Sequence, residues 1–159
     1  MIRLVIVDDM PDIRNYLAEE LAAASEQFSV VGAAEDGTEA VKLVDSLLPD
    51  VVLMDIQMKT RTEGIYAIRI IHERHPDIKC IALTIHEDDE LIFQAYLAGA
   101  ADYIIKTRSI DTIKNSILAV VNNRLLLRPE VGQRLIQEYQ RVQNQENRMK
   151  DAQNQHDRI

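Results

Sequence analysis

The sequence predicts an α/β fold in which a doubly wound, five-stranded parallel sheet is covered by helices on both faces. Short β-branched runs alternate five times with segments of helical period, which is typical of parallel strands joined by crossover helices. The strand segments are almost continuously apolar, as expected for strands buried on both faces. In such a fold, binding sites lie beyond the carboxyl ends of the strands.

Each element is predicted from its local pattern. Strands are expected at residues 2–7, 29–34, 51–54, 80–83 and 102–105, and flanking helices at 12–24, 38–48, 64–74, 88–98 and 110–123. Pro11 suits a first helical turn, and Gly99 suits the position just after a helix. The single cysteine, Cys80, lies in an apolar run and is interpreted as a buried strand thiol, since it has no partner for an intramolecular disulfide.

The segment after residue 128 differs in composition from the rest of the chain. Ten of the last 31 residues are Gln or Asn, and no further strand pattern appears. An imperfect coiled-coil seam is formed by Leu135, Tyr139, Val142 and Met149. Two interpretations stay open, a solvated helix that frays and a weak dimer-forming helix or linker. We therefore predict one domain over residues 1–125 and a helical extension over 126–159.

The charge distribution argues against direct contact with nucleic acid. The formal net charge is −8, and the last 31 residues carry five acidic and five basic side chains, so the whole excess lies in residues 1–128. An acidic domain repels phosphates, and no Lys/Arg cluster with interleaved aromatic residues is present. The sequence also has no signal-like segment and no apolar run of membrane-spanning length, so we expect a soluble, cytoplasmic protein without membrane contact.

Polar or charged side chains follow four of the five predicted strands. Asp8 and Asp9 follow the first strand, and Asp55, Thr84 and Lys106 follow the third, fourth and fifth. Because carboxyl ends of parallel strands meet at one edge, we expect these side chains to converge. A helix cap or a solvated role would explain each residue alone, but their joint occurrence favours a site.

The residue types at this edge predict phosphoryl chemistry. Carboxylates crowded together repel one another unless a cation compensates, and oxygen ligands favour a hard ion such as Mg2+. Beside that ion, Asp55 can stay ionised and attack phosphorus to form an acyl phosphate. The Lys106 ammonium and the Thr84 hydroxyl suit the phosphoryl oxygens.

These motifs closely resemble those of the response regulator receiver family of two-component signalling, over about residues 1–125. The matching segments are Val5-Ile6-Val7-Asp8-Asp9, Val52-Leu53-Met54-Asp55-Ile56, Ala82-Leu83-Thr84, and Gly99-Ala100 ahead of Lys106. The resemblance implies the flavodoxin-like fold of CheY-like receivers. It also implies that Asp55 accepts phosphate from a histidine kinase, so that the chain acts as a signalling switch, not an enzyme.

The resemblance assigns further roles residue by residue. It implies that four groups hold Mg2+: the carboxylates of Asp8, Asp9 and Asp55 and the backbone carbonyl of Gln57. Thr84 and Lys106 would contact the phosphoryl group. Tyr103 matches the switch aromatic of the family and would turn inward when Thr84 moves toward the phosphate, although the sequence alone is equally compatible with a half-buried strand residue.

The output is predicted from a narrower resemblance. Residues 83–90 look most like receivers of the NarL/LuxR type, which carry a helix-turn-helix DNA-binding domain after a linker. We therefore expect a transcription regulator that forms a homodimer on phosphorylation and contacts DNA only through an output domain absent from this chain. The alternative is a stand-alone receiver acting as a phosphorelay shuttle, although a shuttle has little use for residues 129–159.

Two other classes of protein are disfavoured. A phosphohydrolase with an aspartyl phosphate usually has an acid two residues after the nucleophile, where this chain has Gln57. A nucleotide-binding flavodoxin-like protein would need a turn that cradles phosphate after the first strand. The turn at residues 8–12 is acidic and has no glycine, so it would repel phosphate.

Three departures from the family pattern bear on the lifetime of the phosphate. Lys59 replaces a common proline in a loop that reaches Gly64 one residue later than usual, which predicts a more mobile lip over the metal. Thr107 replaces a proline after Lys106, and because a non-proline cis bond costs about 2.5–4 kcal/mol, we predict a trans bond. Ile85 is bulkier than the usual small residue and is expected to narrow access to the site.

Overall fold

The computed structural model describes residues 1–59, 63–85, 88–106, 109–124 and 129–157. Across these ranges five parallel strands form one sheet in the order β2-β1-β3-β4-β5. The strands are β1 Ile2–Val7, β2 Phe28–Ala34, β3 Val51–Asp55, β4 Lys79–Thr84 and β5 Asp102–Ile105. The predicted doubly wound sheet is confirmed, and the direction of winding changes between β1 and β3, the place where such sheets bind ligands beyond the carboxyl ends of their strands.

Six helices are present in the described part of the chain: α1 Pro11–Ala24, α2 Gly37–Leu47, α3 Glu63–Arg74, α4 Asp89–Ala98, α5 Ile110–Val121 and α6 Pro129–Asp157. Side-chain caps begin three of them, because Asp36, Asp88 and Ser109 accept bonds from backbone N–H groups of the first turns of α2, α4 and α5. Gly99 ends α4 at a φ of 113°. The first five helices agree with the predicted ones to within two residues at each end.

The core consists of two apolar clusters, one on each face of the sheet. Alternate residues of β1 serve the two faces: Val5 and Val7 pack under α2, α3 and α4, whereas Leu4 and Ile6 pack under α1 and α5. This arrangement explains why the strands read as continuous apolar runs. Cys80 is buried as predicted, and burial raises the pKa of its thiol to about 12.

The first part of α6 packs against α4. Leu135 contacts the core cluster on the α4 face, and Arg134 Nε lies 3.3 Å from Asp89 Oδ1. Ile136, Tyr139 and Met149 are more than half exposed. In its described part, Pro129–Asp157, the extension is helical, and the boundary between it and the domain stays a prediction. None of the helices in the described ranges combines the length and the apolar character that crossing a bilayer requires.

Candidate functional site at the carboxyl edge of the sheet

Strand register brings the predicted site residues to one edge. The pairs at this edge are Val7 with Met54, Asp55 with Leu83, and Thr84 with Ile105. The Lys106 N–H donates to the Thr84 carbonyl at 2.7 Å, which extends the pairing of β4 and β5 by one residue. Asp8 and Asp55 therefore lie level with each other, and Thr84 and Lys106 follow one and two residues beyond that level at the same edge, as the sequence predicted.

Three carboxylates form the centre of this edge. Oxygen atoms of Asp8, Asp9 and Asp55 lie within 4.8 Å of one another. Asp8 and Asp55 are 0% and 2% exposed, and Asp9 is half-buried. Closely spaced carboxylate oxygens on a partly open rim are the donor set that Mg2+ prefers, so these residues fit that ion.

Lys106 provides the positive charge within this group. Its Nζ lies 2.6 Å from Asp8 Oδ2 and 3.1 Å from Asp55 Oδ2. Burial raises the pKa of Asp55 from 3.8 to about 6, even though the Lys106 charge and a bond from the Gln57 N–H lower it. The Lys106 ammonium therefore offsets only part of the free-energy cost of burying the charged Asp55 carboxylate.

Backbone groups orient the carboxylates. Asp55 Oδ1 accepts a bond from the Gln57 N–H at 3.0 Å, and Asp8 Oδ1 accepts one from the Met10 N–H at 2.9 Å. The Oδ2 atom of each is then the one that faces Lys106. The Arg14 side chain donates a hydrogen bond to the Asp8 carbonyl oxygen at 2.8 Å, which fixes the backbone at Asp8. Both acids are thus held in position before any ligand arrives.

Gly64 allows the start of α3 to pass directly over the backbone of Asp55. A Cβ at this position would lie 2.2 Å from the Asp55 carbonyl oxygen and 2.4 Å from Ile56 Cα. No larger residue fits without moving the strand end. The loop pattern in the sequence includes Gly64 but does not indicate this role at the site.

Thr84 is fully buried, and its hydroxyl already has a hydrogen-bond partner just after the end of the neighbouring strand β3. Its hydroxyl donates to Gln57 Oε1 at 3.1 Å. The family resemblance implies a role for the Gln57 carbonyl alone and does not indicate this side-chain contact. No signal in the sequence could reveal this contact, because it depends on the orientation of a polar side chain in a loop.

The predictions for the other residues near this edge have different outcomes. Tyr103 is 3% exposed and belongs to the apolar cluster under α3 and α4, so it is more deeply buried than a half-buried strand residue. Ile85 is 58% exposed, and its effect on access stays a prediction. Residues 60–62 and Thr107 lie outside the described residues, and so do the predictions of a mobile lip and of a trans Lys106–Thr107 bond.

A second buried carboxylate lies at the opposite end of β5. Asp102 is 1% exposed and accepts bonds from the Tyr103 N–H at 2.7 Å, the Ser116 hydroxyl at 2.6 Å and the Tyr96 hydroxyl at 3.5 Å. It thereby connects α4, β5 and α5. The sequence predicts Asp102 only as a strand residue.

Comparison with known proteins agrees with the geometry of this edge. Residues 4–118 match the model of the response regulator receiver domain. The chain is 36% identical over 145 residues to the transcriptional regulatory protein DegU of Brevibacillus brevis, covering 91% of this chain and 61% of DegU. It is 34% identical to the transcriptional regulatory protein YdfI of Bacillus subtilis, covering 92% of this chain and 68% of the relative.

Solved structures show the same relationship. The two-component response regulator of the LuxR family from Aurantimonas sp. superposes with a TM-score of 0.76 at 27% identity, covering 86% of this chain and 96% of that one. The signal receiver domain of the response regulator NarL from Mycobacterium tuberculosis gives 0.72 at 28% identity, with coverages of 77% and 98%. The chain belongs to the response regulator receiver family of two-component signalling switches, and its relatives are regulators of the LuxR and NarL type.

Proposed function

We propose that Asp55 accepts a phosphoryl group from a histidine kinase and that this modification switches the output of a transcription regulator. The observation that carries the proposal is the buried cluster of Asp8, Asp9 and Asp55 with Lys106 in contact with two of the three acids. Receiver domains of two-component systems work with histidine kinases, so the phosphodonor follows from membership of the family.

The metal is proposed from the donor set. Asp8, Asp9 and Asp55, with the backbone carbonyl of Gln57, would hold Mg2+. When bound, the ion supplies positive charge that offsets both the clustered carboxylates and the incoming phosphoryl oxygens. The raised pKa of Asp55 supports this proposal, because it indicates a carboxylate whose charge the protein compensates only in part.

The chain's own residues carry the transfer. A carboxylate oxygen of Asp55 attacks the phosphorus of a phosphohistidine, and the new O–P bond forms as the P–N bond breaks. The imidazole leaves with the electron pair of that bond and takes up a proton, while Asp55 becomes an acyl phosphate. Lys106 and the hydroxyl of Thr84 bind the phosphoryl oxygens through charge-assisted hydrogen bonds.

The switch is proposed to act through Thr84 and Tyr103. When Thr84 moves to bind the phosphoryl group, the population shifts toward a state in which Tyr103 and the adjoining surface of α4, β5 and α5 are packed differently. A few kcal/mol of differential stabilisation is enough to shift such an equilibrium decisively. The receiver over residues 1–125 would thus control, through the extension over 126–159, dimerisation and a LuxR-type DNA-binding domain beyond this chain.

The proposal is tested by phosphorylating the chain with phosphoramidate and Mg2+ and following intact mass. The wild-type chain is expected to gain one phosphoryl group, and the Asp55→Asn variant none. Asp77→Asn is the matched control, because Asp77 is an exposed acid between α3 and β4, at the other edge of the sheet. Equal labelling of wild type and Asp55→Asn would overturn the proposal, whereas light scattering on the labelled sample tests the proposed dimer.

A further inference from the structure

Gln57 lies between the proposed nucleophile and the residue that binds the phosphoryl group, and it contacts both. Its backbone N–H donates to Asp55 Oδ1 at 3.0 Å, and its side-chain Oε1 accepts from the Thr84 hydroxyl at 3.1 Å. Gln57 is half-buried, and Thr84 is fully buried. The side-chain amide is therefore directed into the site at the end of β4.

The bond between these side chains competes with phosphoryl binding. A hydroxyl group has one hydrogen to donate. While that hydrogen is shared with Gln57 Oε1, it is not available to a phosphoryl oxygen on Asp55. Entry into the phosphorylated arrangement therefore requires the bond to Gln57 to break, and its loss offsets part of the stabilisation that the new bond provides.

We propose that the Gln57 side chain is a positioning residue that retains Thr84 in its unphosphorylated arrangement and so lowers the affinity of the site for a phosphoryl group. This inference rests on the proposed function, since it requires Thr84 to bind the phosphoryl oxygens. It adds a second role to the residue, because the backbone carbonyl proposed as a metal ligand and the side chain that holds Thr84 act independently.

The test uses beryllofluoride, an unreactive mimic of the phosphoryl group, titrated into the full chain at fixed Mg2+. Gln57→Met removes the acceptor while keeping a side chain of similar length. Because a net hydrogen bond contributes about 0.5–1.5 kcal/mol, the variant is expected to bind beryllofluoride about 2- to 10-fold more tightly than the wild type. Gln57→Ala is also expected to raise the affinity for beryllofluoride, and its smaller side chain cannot overpack the site. Gln27→Met is the matched control, because Gln27 is exposed in the loop before β2, and no change is expected.

Two further measurements separate positioning from a general structural effect. Mg2+ affinity without beryllofluoride is measured for wild type and Gln57→Met, and beryllofluoride is titrated at Mg2+ concentrations that saturate both, so that a change in metal binding does not contribute to the measured gain. The gain in beryllofluoride affinity is expected to persist in a Thr84→Ser background, which keeps the hydroxyl, and to disappear in Thr84→Ala, which lacks it.

The failures are distinguishable. If wild type and Gln57→Met bind beryllofluoride equally, or if the variant binds more weakly, this inference is wrong and the proposed function stands. If the gain survives in Thr84→Ala, the side chain does not act through Thr84 and the inference is also wrong. If the wild-type chain binds no beryllofluoride in the presence of Mg2+, the proposed function and this inference are both overturned.

Discussion

Asp55 and Asp102 are both almost completely buried, at 2% and 1% exposure, yet the fold surrounds the two carboxylates very differently. Asp55 lies beside two other acids at the carboxyl edge of the sheet, with the Lys106 ammonium 3.1 Å away. Asp102 lies at the amino end of β5, where a backbone N–H and two hydroxyl groups donate to it. Asp55 thus has two neighbouring acids as well as the Lys106 and Gln57 donors, whereas the three partners of Asp102 are all donors.

The difference separates a carboxylate for which we propose a chemical role from one that supports the fold. Burying an acid is costly unless hydrogen bonds or opposite charge compensate it. The donors around Asp102 come from α4, β5 and α5, so that carboxylate holds three elements together. At Asp55 the compensation is incomplete, which raises its pKa and agrees with the proposed binding of a cation and a phosphoryl group there.

The largest effect on stability is expected from Asp102→Ala. The variant leaves the Ser116 hydroxyl and the Tyr103 N–H without their carboxylate partner inside the protein, and this is expected to lower the free energy of unfolding by about 3 kcal/mol. Urea unfolding followed by circular dichroism measures the change. Asp77→Ala, at an exposed position, is the control and is expected to change stability by less than about 0.5 kcal/mol. A similar small change in both variants would mean that Asp102 has no special role in holding the fold.

Asp55→Asn is expected to act in the opposite direction. Because burial raises the pKa of Asp55 from 3.8 to about 6, the folded chain holds this proton more tightly than the unfolded chain. The stabilisation of the fold by this tighter proton binding is therefore fully present at pH below 3.8 and is lost as the pH rises through about 6. At pH 7 without Mg2+, the variant is expected to be more stable than the wild type by at most about 3 kcal/mol, at about 1.4 kcal/mol per pKa unit.

The pH profile is the decisive measurement for that variant. In the presence of EDTA, the difference in melting temperature between Asp55→Asn and wild type should be largest above pH 6 and should shrink as the pH falls toward 4. Added Mg2+ should stabilise the wild type more than the variant. A variant that is less stable than the wild type at pH 7 would show that the electrostatic account of Asp55 is wrong.

The sequence could predict the Asp55 site because its geometry follows from topology. Once five strands are parallel, the residues just after them share one edge, and Asp8, Asp55, Thr84 and Lys106 needed no further information to be placed together. The side chain of Gln57 could not be predicted in the same way. Its bond to Thr84 depends on a side-chain rotation in a loop, and no pattern in the sequence records that rotation.

The Asp102 network was beyond prediction for a related reason. Its partner Ser116 lies 14 residues further along the chain, on α5, and the two meet only because α5 packs on its own face of the sheet. The docking of α6 is a similar case. Its imperfect apolar seam left a solvated helix and a dimer-forming helix or linker both open, and only the tertiary structure identifies α4 as the surface that Leu135 and Arg134 contact.

The smallest effect is expected from Ser116→Ala, which tests how much of the Asp102 network depends on one donor. The hydroxyl lies 2.6 Å from Asp102 Oδ2 and is buried, so its removal is expected to lower stability by about 1.5 kcal/mol, as for a hydrogen bond to a charged group. Ser46→Ala is the matched control, because Ser46 is an exposed serine inside α2, and a change below about 0.5 kcal/mol is expected. Combined with Asp102→Ala, the Ser116 substitution should add little further loss, because the carboxylate it serves is already gone. Full additivity of the two losses would mean that Ser116 stabilises α5 through contacts other than Asp102.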